Sequence, residues 1–184
     1  MKATRKEYIT AISKFLKNGG YSGKCLSVSD NEKEFTKFFS DLSAPEYPEV
    51  DAHNMPYEDE TFDCVIFNQV LEHVKNPFTC VNEGYRVLKK GGIIVLSSPF
   101  FYQVHRHPED NWRFTVDGLR VLAENFSKIL FEHKSGNPDM IKHMISNPND
   151  RHSKELHRLA DQFDKQKLEN NRRYYLMASI IAEK

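Results

Sequence analysis

Residues 51–101 read DAHNMPYEDETFDCVIFNQVLEHVKNPFTCVNEGYRVLKKGGIIVLSSPFF. This stretch contains two short apolar runs, residues 62–67 and residues 93–97, in which β-branched and aromatic side chains dominate. Such runs are typical of strands that are buried on both faces, although periodicity alone does not distinguish them from buried helix. We interpret both runs as strands.

The segment between the two runs has the pattern of an amphipathic helix. Asn76 followed by Pro77 indicates an N-cap and a first helical residue. Apolar residues then recur at spacings of three and four, at Phe78, Val81, Tyr85 and Leu88. Residues 89–92 (KKGG) indicate the helix end, because cations favour the negative end of a helix and glycine adopts the left-handed cap. A helix between two buried strands predicts a right-handed crossover in a parallel sheet.

The composition is that of a soluble globular protein with one domain. The chain has 184 residues, of which 39% are hydrophobic and 28% charged, so a single domain over residues 1–184 can bury a sizeable core. The formal net charge is zero, which argues against a general affinity for nucleic acid or for an anionic membrane surface.

The cysteines and the apolar runs indicate a cytoplasmic protein. Cys25, Cys64 and Cys80 are scattered without the spacing of metal ligands, and we expect them to be reduced core residues. The N-terminus has no apolar signal-peptide core, and no apolar run approaches the roughly 20 residues that span a bilayer. We therefore predict no membrane span.

The flanking segments supply further elements. In chain order we predict a lead-in helix (1–20), a first strand (24–28), a short helix (32–39), a helix capped by Thr115 (115–126), a strand (128–133), a loop with one helical turn (136–149), a charged helix (150–172) and a closing strand (174–182) paired with residues 128–133. The charged helix is interpreted as a solvated surface helix, with a dimer contact as the alternative. A monomer or a homodimer is therefore expected.

Polar residues gather where three of the predicted strands end. They are Ser29 and Asp30 after the first strand, Asn68, Gln69, Glu72 and His73 after the next, and Ser97 and Ser98 after the third. In open α/β sheets, ligands bind beyond the carboxyl ends of the strands. The pattern therefore predicts a binding site at this edge without naming its ligand.

Residues 24–131 resemble the class I S-adenosylmethionine (SAM)-dependent methyltransferases. The motifs that carry the resemblance are Asp51-Ala52, Met55-Pro56-Tyr57, Phe62-Asp63, Val70-Leu71-Glu72-His73 and Arg86 to Gly92, in the family's order and spacing. Residues 99–119 are similar to a subgroup associated with envelope polysaccharide and sugar modification. The resemblance implies an α/β fold, a Rossmann-like three-layer sandwich around a mostly parallel seven-stranded sheet with an antiparallel C-terminal hairpin.

The resemblance also implies a SAM site. Asp51 and Ala52 would lie beside the adenine, Asn68 and Gln69 would line the methionine end, and Asp41 would accept from the ribose hydroxyls. Ser27 and Ser29 align with the end of the first strand and the turn that follows it.

That turn departs from the family. Its usual glycines permit positive φ and close backbone approach to the cofactor, whereas residues 27–32 (SVSDNE) contain none. The span from Val28 to Asp51 is also too short for the usual helix, strand and second helix. One crossover near strand two must therefore be shortened, which gives either a compact variant or a degenerate cofactor site.

The loop after the third strand is the candidate acceptor pocket. It carries His105, the favoured general base, and four candidate substrate-binding residues, His107, Asp110, Trp112 and Arg113. The alternative is that Asp110, Trp112 and Arg113 lock the loop against the next helix. The loop lacks the ligand spacing of a zinc site, so no metal is predicted. For Glu72 we expect a surface or capping role, for His73 an orienting role, and for Arg86 a structural ion pair.

Two functions fit the sequence, and two others are disfavoured. The first is methyl transfer from SAM to a small hydroxylated acceptor, such as a sugar or an envelope-glycan precursor. The second is a methyltransferase-like binding or regulatory protein that has lost SAM affinity, which the missing glycines favour. A dinucleotide-dependent oxidoreductase is disfavoured because no glycine fingerprint follows the first strand. Nucleic-acid modification lacks a basic face.

Overall fold

A mixed β-sheet forms the centre of the protein, and the computed structural model describes residues 2–28, 33–105, 109–136, 138–147, 158 and 175–184. The strands are β1 (Lys24–Val28), β2 (Asp41–Ser43), β3 (Phe62–Asn68), β4 (Leu88–Pro99), β5 (Lys128–Ser135) and β6 (Met177–Glu183). The helices are α1 (Lys2–Gly19), α2 (Lys33–Thr36), α3 (Pro77–Val87), α4 (Val116–Leu122) and α5 (Pro138–Ser146).

The strand order is β2-β1-β3-β4-β6-β5. β1 pairs in parallel with β2 and with β3, and β3 pairs in parallel with β4. β6 runs antiparallel to both of its neighbours, β4 and β5. This confirms the Rossmann-like α/β fold and the antiparallel C-terminal hairpin. The described residues contribute six strands, however, where seven were predicted.

Helices cover both faces of the sheet. On one face, α3 and α4 pack their buried residues, such as Val81 and Leu119, against the sheet. On the other, α1, α2 and α5 contribute Ile12, Phe35 and Met140 to a second buried cluster. The apolar runs read from the sequence are therefore buried on both faces because each face of the sheet carries a helix layer.

Helix α3 begins as predicted and ends earlier than predicted. The side-chain oxygen of Asn76 accepts from the Thr79 N–H at 3.2 Å, and Pro77 occupies the first turn. Leu88 is already the C-cap, with its N–H donating to the Gly84 carbonyl, so residues 89–92 belong to β4 and not to the helix end. Gly91 has the positive φ (73°) that is expected of a helix cap, but it lies in β4.

The small residue at position 84 lets α3 approach the sheet closely. A Cβ atom added to Gly84 would lie 2.9 Å from the Phe67 ring and 3.0 Å from the Ile94 side chain. A larger residue there would push the helix away from β3 and β4, whose ends form the candidate site.

The crossover from β1 to β2 is much shorter than the crossover from β3 to β4. α2 has four residues and β2 has three, and Leu42 in β2 is 39% exposed. Within the described residues, the connection from Val28 to Asp51 thus contains one short helix and one short edge strand, which agrees with the predicted shortening near strand two.

Other predicted elements agree in part. Thr115 caps α4, accepting from the Gly118 N–H at 2.9 Å, as expected. α5 has nine residues where a single turn was predicted, and the closing strand is Met177–Glu183 rather than residues 174–182. The predicted charged helix, residues 150–172, lies outside the described residues except for Arg158.

The three cysteines are buried and free of disulfides, as expected for core residues. Among the described helices, none combines the length and the apolarity that crossing a bilayer requires.

Candidate functional site

The carboxyl ends of β1, β3 and β4 meet at one edge of the sheet. Val28 lies opposite Phe67, and Asn68 lies opposite Ser97, so the residues that follow these strands are brought together. This is the edge at which the sequence predicts ligand binding.

Asn68 joins three elements at this edge. Its side-chain oxygen lies 2.6 Å from the Ser97 Oγ and 3.1 Å from the Tyr8 hydroxyl, and both hydroxyls donate to it. Asn68 is buried, so these hydrogen bonds hold α1, β3 and β4 in fixed register at the edge. The predicted contact of Asn68 with the methionine end of a cofactor stays a prediction.

Gln69 follows in the left-handed region, with φ of 59°. This conformation is uncommon for a residue other than glycine and is typical of functional turns. The Gln69 N–H donates to the Ser97 carbonyl at 2.9 Å, which fixes the turn against β4. The chain therefore turns sharply at the point where it leaves β3.

A histidine that the sequence analysis did not single out holds Asp51. The Asp51 Oδ1 accepts from the His53 N–H at 2.9 Å and lies 2.7 Å from the His53 Nδ1. The His53 Nε2 accepts from the Asn76 N–H at 3.2 Å, so the ring proton must be on Nδ1, where it donates to Asp51. Residues 51–54 are thereby tied to the start of α3, and the adjacent Ala52 is buried.

The carboxylate of Asp51 is kept ionised and accessible. Hydrogen bonds from the His53 backbone N–H, and then from the His53 ring, hold the pKa of Asp51 below its ordinary value. The side chain is 55% exposed, and its Oδ2 has no partner among the described residues. Asp51 can therefore accept a hydrogen bond from a bound ligand, for example from an amino group.

Two of the predicted cofactor residues that the structure describes, Asp41 and Ser27, are not exposed at the open edge. Asp41 starts β2 opposite Lys24, at the amino end of the strands, so its predicted position beside a ribose is wrong. Ser43 ends this strand instead, with its Oγ 3.4 Å from the Tyr57 hydroxyl. Ser27 lies within β1 and is fully buried. Ser29 lies outside the described residues, as do the other positions of the turn that lacks glycine, residues 30–32.

The loop after β4 folds back onto the turn after β3. The Glu72 carbonyl accepts from the Asn111 N–H at 2.7 Å and from the Trp112 N–H at 3.1 Å. The Trp112 indole N–H donates to the Val74 carbonyl at 3.0 Å, and the Asn111 amide donates to the His73 carbonyl at 3.1 Å. The loop is therefore held by backbone groups of residues 72–74.

Asp110 and Arg113 shape the loop from within. The carboxylate of Asp110 accepts from both terminal nitrogens of Arg113, at 2.7 Å for the Nη2 contact, and from the His105 N–H at 2.7 Å. Arg113 also donates to the Gln103 carbonyl at 3.2 Å. The Arg113 guanidinium holds the pKa of Asp110 well below its usual range. Asp110, Trp112 and Arg113 thus hold the loop from within and against Val74, rather than against the next helix as one alternative predicted. Their substrate-binding roles stay predictions, and His107 lies outside the described residues.

Glu72 is the functional residue that sequence reasoning misjudged. Its side chain is 0% exposed, so the expected surface or capping role is wrong. The Oε2 accepts from the Ser98 Oγ at 3.1 Å, while the Oε1 has no hydrogen-bond partner among the described residues. Burial raises the pKa of Glu72 to about 7. Buried carboxyls of this kind are typical of functional sites.

Two imidazoles lie beside Glu72. The His73 Nε2 is 3.9 Å from the Glu72 Oε1, and the His73 and His105 rings have centroids 5.0 Å apart. Both rings are partly exposed, at 17% and 30% of the side chain. A buried acid and two accessible imidazoles thus face one another at the end of β4, next to the edge formed by Asn68 and Ser97.

Arg86 forms the structural ion pair that is expected of it. Arg86 donates to the carbonyls of Met55 and Tyr57, at 3.0 and 2.7 Å, and pairs with Glu83 and Asp59. It ties the segment before β3 to α3, which confirms a structural role.

Comparison with known proteins agrees with this fold. Residues 10–96 match a family model described as a methyltransferase domain. The ubiquinone/menaquinone biosynthesis C-methyltransferase UbiE of Escherichia coli is 29% identical over 136 residues, which cover 59% of this chain and 54% of that protein. The chain covers only 24% and 40% of two uncharacterised relatives, from Streptomyces fradiae and Methanocaldococcus jannaschii.

Solved structures share the architecture across nearly the whole chain. A SAM-dependent methyltransferase from Archaeoglobus fulgidus is similar with a TM-score of 0.65 and 16% identity, covering 98% of this chain and 94% of that one. The 4+2 cyclase SpnF is similar with a TM-score of 0.55 and 16% identity, covering 96% of this chain and 80% of that one. At these identities the likeness establishes the fold alone.

Proposed function

We propose that the chain is a class I SAM-dependent methyltransferase, which the match of residues 10–96 to a methyltransferase-domain model supports, and that it transfers the methyl group of SAM to a small hydroxylated acceptor such as a sugar. The observation that carries the proposal is the open edge of the sheet, where the chain turns sharply at Gln69 and a buried acid lies beside two imidazoles, while the exposed Asp51 is tied through His53 to the start of α3. The edge thus offers both a cofactor half and an acceptor half.

The cofactor half consists of the segment around Asp51 and the ends of β3 and β4. The exposed Asp51 Oδ2 suits the adenine amino group, whereas the adjacent Ala52 is buried and its contact with the adenine stays a prediction. The sharp turn at Gln69 brings backbone groups to the edge, where the methionine end would lie. SAM supplies a methyl group that is already activated, so the protein's contribution is mainly to hold it in line with the acceptor.

The acceptor half consists of the described parts of the loop after β4, residues 100–105 and 109–112. His105 is the proposed general base, with His73 and Glu72 beside it to share or stabilise the proton taken from a hydroxyl. Phe101 and Trp112 are each 41% exposed, and their rings offer apolar surface of the kind that packs against the C–H faces of a sugar. These features support a hydroxylated acceptor with an apolar face.

Calorimetric titration with S-adenosylhomocysteine (SAH), the demethylated product, tests the cofactor half. We expect saturable binding of one molecule per chain and a rise in melting temperature, with about 2.7 kcal/mol of added stability at a hundredfold excess over Kd. Absence of both effects at millimolar SAH would contradict the proposal and favour the alternative of a protein that has lost SAM affinity.

Transfer of radiolabelled methyl from SAM to a panel of sugars and other hydroxylated compounds tests the acceptor half. The His105→Ala variant should bind SAH as the wild type does and lose turnover on any acceptor found. Loss of SAH affinity in this variant would mean that the loop belongs to the cofactor half instead.

A further inference from the structure

The side chains of Glu72, His73 and His105 converge although they come from two separate loops. Each offers one ligand atom, and these atoms all lie within 4.8 Å of one another. We propose that the three side chains bind a divalent transition-metal ion, with Zn²⁺ as the best match. No spacing in the sequence predicts this site, because His105 reaches it only when its loop folds back onto residues 72–74.

The distances are close to those of a bound ion. On a tetrahedral ion with metal–nitrogen distances of about 2.1 Å, neighbouring ligand atoms lie about 3.4 Å apart. The Glu72 Oε1 and the His73 Nε2 are 3.9 Å apart. A ring nitrogen of His105 lies within 4.8 Å of both atoms, so a bound ion would draw this ring, which packs against the rings of His73 and Tyr102, closer to the other two ligands.

His73 is already oriented as a ligand. Its Nδ1 contacts the Glu109 carbonyl oxygen, which can only accept, so this nitrogen carries the ring proton. The lone pair is therefore on Nε2, the atom that faces Glu72. Metal-binding histidines typically donate their other ring N–H to a carbonyl or carboxylate in this way.

Glu72 is anchored on one side and unpartnered on the other. The Ser98 Oγ donates to the Oε2, while the fully buried Oε1 has no partner among the described residues and points toward His73. A buried oxygen without a partner is costly, and a cation would satisfy it. Asp110 and Arg113 pair with each other, and the Asp110 Oδ2 also lies 3.3 Å from the His105 Nδ1, where a carboxylate would orient this ring as an outer contact of the ion.

The ligand types select the metal. Two imidazoles and one carboxylate suit Zn²⁺, Co²⁺ or Fe²⁺, whereas Mg²⁺ and Ca²⁺ prefer oxygen ligands throughout. Three protein ligands leave a fourth position open, which is the arrangement of catalytic rather than structural zinc sites. The partly exposed faces of His73 and His105 give that position access to solvent.

The open position also bears on the acceptor, and this step rests on the proposed function. A bound ion lowers the pKa of a coordinated hydroxyl, so the acceptor would release its proton to solvent more readily. His105 would then act as a ligand rather than as the base. Chelation of the ion would abolish turnover while leaving SAH binding intact.

Titration of the full chain with ZnCl₂, in the absence of SAM, tests the site directly. We expect one Zn²⁺ per chain, no binding of Mg²⁺, and a visible absorption band with Co²⁺ whose intensity indicates four-coordination. His105→Ala and Glu72→Gln should each weaken Zn²⁺ binding by at least about tenfold, because a removed ligand costs no less than a disturbed outer contact. His143→Ala, which removes an imidazole on α5, serves as the matched control and should bind as the wild type does.

The outcomes separate this proposal from the preceding one. Absence of Zn²⁺ binding, or binding that both His105→Ala and Glu72→Gln leave unchanged, would overturn the metal site. His105 is partly exposed on its loop, so His105→Ala keeps the test valid even if Glu72→Gln fails to fold. Zn²⁺ binding without SAH binding would refute the methyltransferase function alone, and SAH binding without Zn²⁺ binding would refute the metal site alone.

Discussion

Two of the parallel crossovers of the sheet, from β1 to β2 and from β3 to β4, differ in what they build. β3 and β4 are joined by the eleven-residue helix α3, and both strands are buried along most of their length. β1 and β2 are joined by the four-residue α2, and β2 is a three-residue edge strand with two exposed positions. The strand–helix–strand unit is therefore complete between β3 and β4 and shortened between β1 and β2.

The difference bears on where the proposed cofactor site would lie. Asn68, Gln69 and Ser97 are fixed by hydrogen bonds at the ends of β3 and β4, and Asp51 is tied to the start of α3. On the other side, the strand that would supply a ribose carboxylate ends at Ser43. We therefore assign cofactor affinity mainly to the β3–α3–β4 crossover and to the segment that leads into it.

The largest predicted effect concerns stability. Phe67→Ala should lower the free energy of unfolding by about 3–5 kcal/mol, because Phe67 is fully buried and packs against Gly84. Leu42→Ala, in the exposed β2, should lower it by less than about 1 kcal/mol. Urea denaturation of both variants measures the contrast, and equal losses would remove the distinction between the crossovers.

A smaller loss of stability is expected at Arg86. Arg86→Ala should cost about 2 kcal/mol, because it leaves the carbonyls of Met55 and Tyr57 without their charged donor. Arg120→Ala is the matched control, since its ion pairs with Asp117 and Glu132 are solvent-exposed and should be worth less than about 1 kcal/mol. If thermal or urea unfolding gives the two variants the same stability, Arg86 does not anchor the segment before β3.

Cofactor affinity should depend on Asp51. Asp51→Ala should weaken SAH binding several-fold in calorimetry, because the exposed Oδ2 is the group proposed to accept from the adenine amino group. Asp117→Ala removes an equally charged, 85% exposed side chain on α4 and should leave the affinity unchanged. An unchanged affinity in Asp51→Ala would exclude Asp51 from the site.

The smallest predicted effect is a pKa change. The His53 N–H and ring hold the pKa of Asp51 below its ordinary value. The stability that these contacts give is therefore fully present at pH values above the ordinary pKa, and it is lost as the pH falls through the lowered pKa. His53→Ala should raise the pKa of Asp51 toward its ordinary value by removing the ring contact. NMR titration of the carboxyl resonance measures this, and an unmoved pKa would mean that the ring does not contact Asp51 in solution.

Local patterns predicted those parts of the fold that depend on local causes. The sequence predicts the buried runs of β3 and β4, the N-cap at Asn76 and the cap at Thr115, because each depends on burial or capping within a few residues. The end of α3 was placed too late because Gly91 has the positive φ of a helix cap but lies in β4, where its N–H donates to the Lys184 carbonyl. That partner is distant in sequence.

The site was harder to predict for the same reason. Glu72 resembles a surface residue in sequence, yet it is fully buried where the backbone of Asn111 and Trp112 folds back onto its carbonyl. The role of His53 depends on the N–H of Asn76, which is more than twenty residues away. Asp41 was misplaced because the shortened crossover shifts β2, so that Asp41 begins the strand instead of ending it.

Titration of the isotopically labelled chain with SAH, followed by backbone amide NMR, tests the central claim most directly. The account predicts saturable shifts confined mainly to residues 51–54, 68–70 and 97–98, at the end of the β3–α3–β4 crossover. No shifts at millimolar SAH, or shifts confined to other surfaces such as α5, would contradict it.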